Sequence, residues 1–122
     1  MTLINKKDKI FIAGHNGMVG NAILREFKRN NYQNILTADR NKLDLTNSLE
    51  VKRWFKINQP DVVILAAAKV GGIRANNEYP TDFLLYNLQI QNNVLYSAGS
   101  STKHSTLFHL EKGSHCLHPI DK

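Results

Sequence analysis

Ile10-Phe11-Ile12-Ala13-Gly14-His15-Asn16-Gly17-Met18-Val19-Gly20 sets four apolar residues ahead of three glycines spaced three apart. Apolar residues then recur at helical spacing, at Val19, Ala22, Ile23 and Phe27, with Arg25, Glu26, Lys28 and Arg29 between them. The order is strand, turn, helix. A glycine turn in that position suits phosphate, because backbone N–H groups and the positive end of a helix dipole face an anion that a Cβ would keep away. In this reading Gly14 makes the tight turn, Gly17 lets the backbone reach a pyrophosphate, and Gly20 lets the helix lie close to the sheet. The spacing is G-x-x-G-x-x-G, and a glycine triplet alone is ordinary turn chemistry. The flanking strand and helix carry the reading.

Beyond the turn, Asn30-Asn31-Tyr32-Gln33 ends the helix and residues 34–38, Asn-Ile-Leu-Thr-Ala, read as a second strand followed by Asp39-Arg40. Asn47 with Glu50 three residues on resembles a capping box. Leu49, Val51, Trp54 and Phe55 supply the apolar face of a helix that stops before Pro60. Val62 to Ala68 is apolar without alternation, as a parallel strand covered on both faces requires. Pro80 opens a third helix over about 81–97, with Leu84, Leu88, Gln91 and Leu95 as its expected apolar stripe. Strand alternating with helix predicts an α/β fold, the N-terminal half of a doubly wound parallel (Rossmann) sheet with right-handed crossovers. Ligands of such sheets sit beyond the carboxyl ends of the strands, where Gly14 to Gly20, Asp39-Arg40 and Ala66 to Gly72 fall together.

At 122 residues the chain suits one core, 42% of its residues are hydrophobic and 21% charged, and no run is long enough to span a bilayer. Met1 to Lys9 is polar, unlike a signal peptide, and a single cysteine, Cys116, fits a reducing compartment. The cytoplasm is expected, with no membrane partner. The net charge of +6 is spread along the chain without interleaved aromatics, so a solvated basic surface is expected rather than a nucleic-acid interface.

Three blocks carry a resemblance: residues 13–20 (AGHNGMVG), 66–73 (AAAKVGGI), and Ala75-Asn76-Asn77 with Tyr79-Pro80 and Asp82-Phe83. From about Lys9 to Ala98 the chain resembles the GDP-L-fucose synthases, extended short-chain dehydrogenase/reductases of the epimerase/dehydratase group. The resemblance implies an NADP-dependent oxidoreductase and epimerase that converts GDP-4-keto-6-deoxy-D-mannose to GDP-L-fucose, an isomerase step preceding the reduction. It implies cofactor contacts at Gly14, Asn16, Gly17, Met18, Val19 and Gly20, at Arg40 for the 2′-phosphate, at Asp44 and Leu45 on the adenine side, at Ala66, Ala67, Ala68 and Lys69, and at Asn87. A guanidinium suits bidentate phosphate recognition, although a surface arginine is the plain alternative. Asp39 argues for NAD instead, because a carboxylate can bind the ribose 2′-hydroxyl and repel a 2′-phosphate, and Asn16 stands where many members carry an arginine. NADP is expected, with NAD as the alternative.

From Gly99 the pattern departs. Residues 113–119 read Gly-Ser-His-Cys-Leu-His-Pro where the family has GSSCIYP, so Ser114 and Cys116 align with its catalytic serine and cysteine while His115 and His118 replace serine and tyrosine. Residues 1–98 are thus expected to form the cofactor half-domain and 99–122 a divergent, frameshifted or truncated tail. The family's Tyr-x-x-x-Lys pair is not among the 122 residues, so the chain alone is expected to be inactive. His104, His109, His115, His118 and Cys116 fit no tight ligand spacing, and no metal site is expected. The competing reading is a non-catalytic dinucleotide-binding or interaction module. Its open sheet edge would favour a homodimer.

Overall fold

The computed structural model describes residues 4–67, 80–101, 106–109 and 118–121. Expectations placed on Ala68, Lys69, Gly71, Gly72, Ser114 and Cys116 lie outside the described residues. In chain order the elements are β1 (Ile10–Ala13), α1 (Met18–Arg29), β2 (Ile35–Leu36), α2 (Ser48–Asn58), β3 (Val62–Leu65), α3 (Pro80–Ser101), β4 (Thr106–His109) and β5 (His118–Asp121).

The strands form one sheet in the order β2-β1-β3-β4-β5, with β1 parallel to both neighbours. Ile10 pairs with Ile35 on one side and Val62 on the other, and Ala13 pairs with Leu65. Strand alternation divides the core. Ile10, Ile12, Val62 and Ile64 meet Ile23, Leu24 and Phe27 of α1, whereas Phe11, Ala13, Val63 and Leu65 meet Val51 and Phe55 of α2 and Ile90, Val94 and Ala98 of α3. The chain thus moves to β2 across one face and returns to β3 across the other, which keeps both crossovers of one hand. This is the Rossmann-like α/β arrangement expected.

The fifth strand is a difference, since β5 runs antiparallel to β4, Thr106 pairing with Asp121 and His109 with His118. Only eight residues, 110–117, separate the two strands. A parallel return needs a crossover of a dozen or more. β4 itself lies parallel to β3, from Val62↔Thr106 to Leu65↔His109.

The helix faces also differ from the expected stripes. On α1 Val19 and Ala22 are exposed, and the inward residues are Gly20, Ile23, Leu24 and Phe27. Gly20 is buried beside the glycine turn, and positions three, four and seven beyond it follow it inward. On α2 Leu49 is 71% exposed while Val51 and Phe55 are buried and Trp54 lies 4.1 Å from Phe11, ring to ring. On α3 Leu84 and Leu88 are exposed, and Ile90, Val94, Ser97 and Ala98 face the core. Burying Phe11 and Phe55 contributes about 2–3 kcal/mol each.

Local chemistry sets the helix ends. Asn31, at φ 64, closes α1 in a Schellman arrangement: Tyr32 N donates to Phe27 O and Asn31 N to Lys28 O, and the Phe27 and Tyr32 rings pack at 4.8 Å. Asn47 Oδ1 caps α2 by accepting from Leu49 N and Glu50 N, as its spacing predicts. Among the described residues no helix is long and apolar enough to cross a membrane.

Candidate functional site

Because β2 and β3 lie on opposite sides of β1, the segments leaving their carboxyl ends diverge and open a crevice at the point where strand order reverses. A cleft of about 310 Å³ lies there, lined by Gly14, His15, Asn16 and Gly17 after β1, by Ala38, Asp39 and Arg40 after β2, and by Ala66 and Ala67 after β3. Leu43, Asp44 and Leu45 from the loop before α2, with Tyr86 and Ile90 of α3, complete the lining. A larger groove of about 620 Å³ runs between α2 and α3 past Ser48, Lys52 and Tyr96, away from the strand ends and the glycine turn.

The three glycines serve different needs. Gly14 has φ +91°, and a Cβ there would lie 2.6 Å from the Ala67 backbone, so both conformation and contact demand glycine. A Cβ on Gly20 would fall on the Gly14 carbonyl oxygen. Gly17 differs: its φ is −76°, and a Cβ would meet nothing closer than the Gly14 oxygen at 3.5 Å. The fold tolerates a side chain at Gly17, so what its bare backbone serves is the open cleft. Gly17 is also the N-cap of α1, which has no side-chain cap, no acidic residue in its first turn, and Lys28 and Arg29 in its last. That helix end is polarised to receive an anion.

The opposite side of the cleft carries charge held in place by turns. Asp39 Oδ1 accepts from Lys42 N at 3.1 Å, and its carbonyl accepts from Lys42 N and Leu43 N, so this carboxylate is engaged in shaping the turn. Arg40 is exposed, and its guanidinium makes no hydrogen bond or salt bridge among the described residues. Asp44 accepts from Thr46 Oγ1 at 2.6 Å and from Thr46 N at 3.0 Å. These bonds, the hydroxyl foremost, hold its carboxyl below the usual range; burial opposes them and the Arg40 charge reinforces them. Asn93 of α3 donates to the Leu45 carbonyl at 2.9 Å.

Of the residues singled out in the sequence, Gly14, Asn16, Gly17, Arg40, Asp44, Leu45, Ala66 and Ala67 come together in this cleft, and Gly20 is buried beneath the turn. Met18, 89% exposed, and Val19, 48% exposed, are not among the lining residues, nor is half-buried Asn87. Ala68, Lys69, Ser114 and Cys116 lie outside the described residues. Ala38, Leu43, Tyr86 and Ile90 were not expected in the lining, whereas His15 falls within the Gly14 to Gly20 segment expected there. His15 was legible as the residue between two turn positions, and Leu43 as a lone apolar residue in a polar loop. A turn that leaves room for an anion at Gly17, facing a guanidinium across the cleft, fits a dinucleotide carrying an additional phosphate.

A family model described as the NAD dependent epimerase/dehydratase family matches residues 10–116. GDP-L-fucose synthase 1 of Arabidopsis thaliana is 46% identical over 118 residues, 97% of this chain and 36% of that protein. The GDP-L-fucose synthase of Escherichia coli strain K12 is 42% identical over 113 residues, 93% of this chain and 34% of that one. A GDP-mannoheptose C4 reductase from Campylobacter jejuni, solved with NADP bound, is similar at TM-score 0.76 and 35% identity, over 80% of this chain and 29% of that one. The chain therefore spans about a third of the length of the curated relatives it matches. With a match that begins at the first residue of β1 and takes in every residue of the cleft, the chain belongs to the NAD dependent epimerase/dehydratase family.

Proposed function

We propose that this chain holds NADP(H) in the cleft at the strand ends and serves GDP-L-fucose synthesis, the epimerisation and reduction of GDP-4-keto-6-deoxy-D-mannose. The observation that carries the proposal is Gly17, a glycine that the fold does not require, at the uncapped N-terminus of α1 and facing the cleft that Arg40 lines. The turn from Gly14 to Gly17 receives the pyrophosphate, with backbone N–H groups of the first α1 turn, those of Met18, Val19 and Gly20, as donors. Arg40 recognises the 2′-phosphate, and Asp39, whose Oδ1 accepts from Lys42 N, keeps its second carboxylate oxygen for the ribose, the contact that would favour NAD. Asp44 and Leu45 bound the adenine side, and Ala66 and Ala67 continue the cleft along β3. When bound, the nicotinamide supplies the hydride for keto reduction.

The sugar nucleotide is inferred from the relatives, which are named as GDP-L-fucose synthases and a GDP-sugar reductase. The cytoplasm is the proposed compartment, on the strength of one cysteine in 122 residues. A homodimer is proposed through Leu84, Leu85 and Leu88, exposed on α3. The test of the cofactor reading is a titration of the chain with NADPH at fixed salt, followed by nicotinamide fluorescence. Saturable binding that Arg40→Ala weakens supports it, and no binding refutes it.

A further inference from the structure

We propose that Asn93 is a positioning residue for the adenine side of the cleft, locking the 39–47 loop from α3; the proposal rests on the cofactor reading above. The side-chain bonds within the loop are local: Asp39 to Lys42, Asp44 to Thr46, and Asn47 to Leu49 and Glu50 each span two or three residues. Bonds of that range shape turns but do not fix a loop relative to the sheet. Other contacts reach beyond it. Leu43 is buried in the core shared with α3 and Leu45 packs against that core, apolar contacts without direction. The Asn93 amide donates to the Leu45 carbonyl at 2.9 Å across 48 residues, and that bond fixes orientation. Asparagine is a poor choice for a helix interior unless its amide has a use elsewhere. Here the use is to hold Leu45, and with it Asp44, at the cleft.

Without the tether the loop samples positions in which the adenine side is not formed, and a ligand must bring it back. Asn93→Asp keeps the shape but sets an ionised carboxylate against a carbonyl oxygen. Affinity for NADPH and for adenosine 2′,5′-bisphosphate is then expected to fall by the same factor, about tenfold. Hydrogen exchange at Thr46 N and Asn47 N, both bonded to Asp44, should speed up while β1 and β3 keep their protection. The substitution also carries a pH signature. Below the pKa of the introduced carboxyl its O–H can donate to Leu45, so the affinity ratio to wild type should recover as pH falls.

Unchanged affinity for the adenosine ligand overturns the proposal. So does weakened affinity with neither low-pH recovery nor faster exchange at Thr46 and Asn47. If the variant loses β1 and β3 protection, Asn93→Ser is measured by the same affinity and exchange criteria. Should wild type bind neither ligand, the cofactor reading fails, and exchange at Thr46 and Asn47 alone decides the tether: faster in the variant supports it, unchanged overturns it.

Discussion

Gly17→Ala separates what the fold needs from what the ligand needs. The added Cβ sits 3.5 Å from the Gly14 carbonyl oxygen at a φ of −76°, so neither contact nor backbone resists it. Alanine is a poorer N-cap than glycine by roughly 0.5–1 kcal/mol, while the stiffer unfolded chain returns about 0.4–1 kcal/mol. Net stability should change by less than about 0.5 kcal/mol. Gly20→Ala is the control. Its Cβ would fall on the Gly14 carbonyl, 2.7 Å from that residue's carbonyl carbon, and backbone cannot swing aside. α1 would have to retreat from β1 and loosen Ile23, Leu24 and Phe27, at about 3 kcal/mol or more. For binding the ranking reverses in kind. The Gly17 Cβ stands between phosphate and backbone, and losing one charge-assisted bond, worth about 1.5–3 kcal/mol, weakens NADPH by roughly 10- to 100-fold. Urea unfolding followed by Trp54, which lies against Phe11 in the core, reads stability, and NADPH titration reads affinity. A Gly17→Ala chain that binds NADPH as wild type does, or unfolds with Gly20→Ala, refutes the reasoning.

Other substitutions test other parts of the account. Arg40→Ala should weaken NADPH by roughly 10- to 100-fold and leave NADH within about twofold, an effect that shrinks with added salt; equal losses for both cofactors would remove Arg40 from the 2′-phosphate. Thr46→Ala should let the Asp44 carboxyl titrate at higher pH, as read by carboxyl-carbon NMR. Because the folded pKa of Asp44 lies below its unfolded value of about 3.9, its contribution to stability is complete above that pH and is lost as pH falls through the folded pKa. In the variant the onset is unchanged, because the unfolded value sets it, but the loss should be smaller and complete at a higher pH; an unmoved titration would contradict the hydrogen-bond assignment. Phe55→Ala, which removes a buried ring in edge contact with Phe11 and Trp54, should cost about 3–5 kcal/mol by urea unfolding.

Legibility followed the range of the physics involved. The strand–glycine–helix unit, the Asn47 cap and the apolar run of β3 rest on neighbouring residues, and each was readable directly. Helix facing was not. Leu84 and Leu88 fit an apolar stripe at helical spacing, yet Ile90, Val94 and Ala98 face the core with Leu95 packed beside them, because the seating of α3 on the sheet sets its rotation, which spacing within the helix does not encode. Gly20 shows the same competition on α1, where contact with the Gly14 carbonyl sets the rotation and turns Val19 outward. Most of the cleft was legible because its residues follow strand ends. Tyr86 and Ile90 were not, since their place depends on how α3 packs with α2 against β1 and β3. The antiparallel β5 depends on a connection length that the residues of the strand do not encode.

The most direct measurement is the equilibrium affinity of the chain for NADPH and for NADH at one ionic strength, by nicotinamide fluorescence. Saturable binding is expected, with NADPH at least about tenfold tighter, the contribution of one guanidinium–phosphate contact. Saturation by neither cofactor, or equal affinity for both, would contradict it.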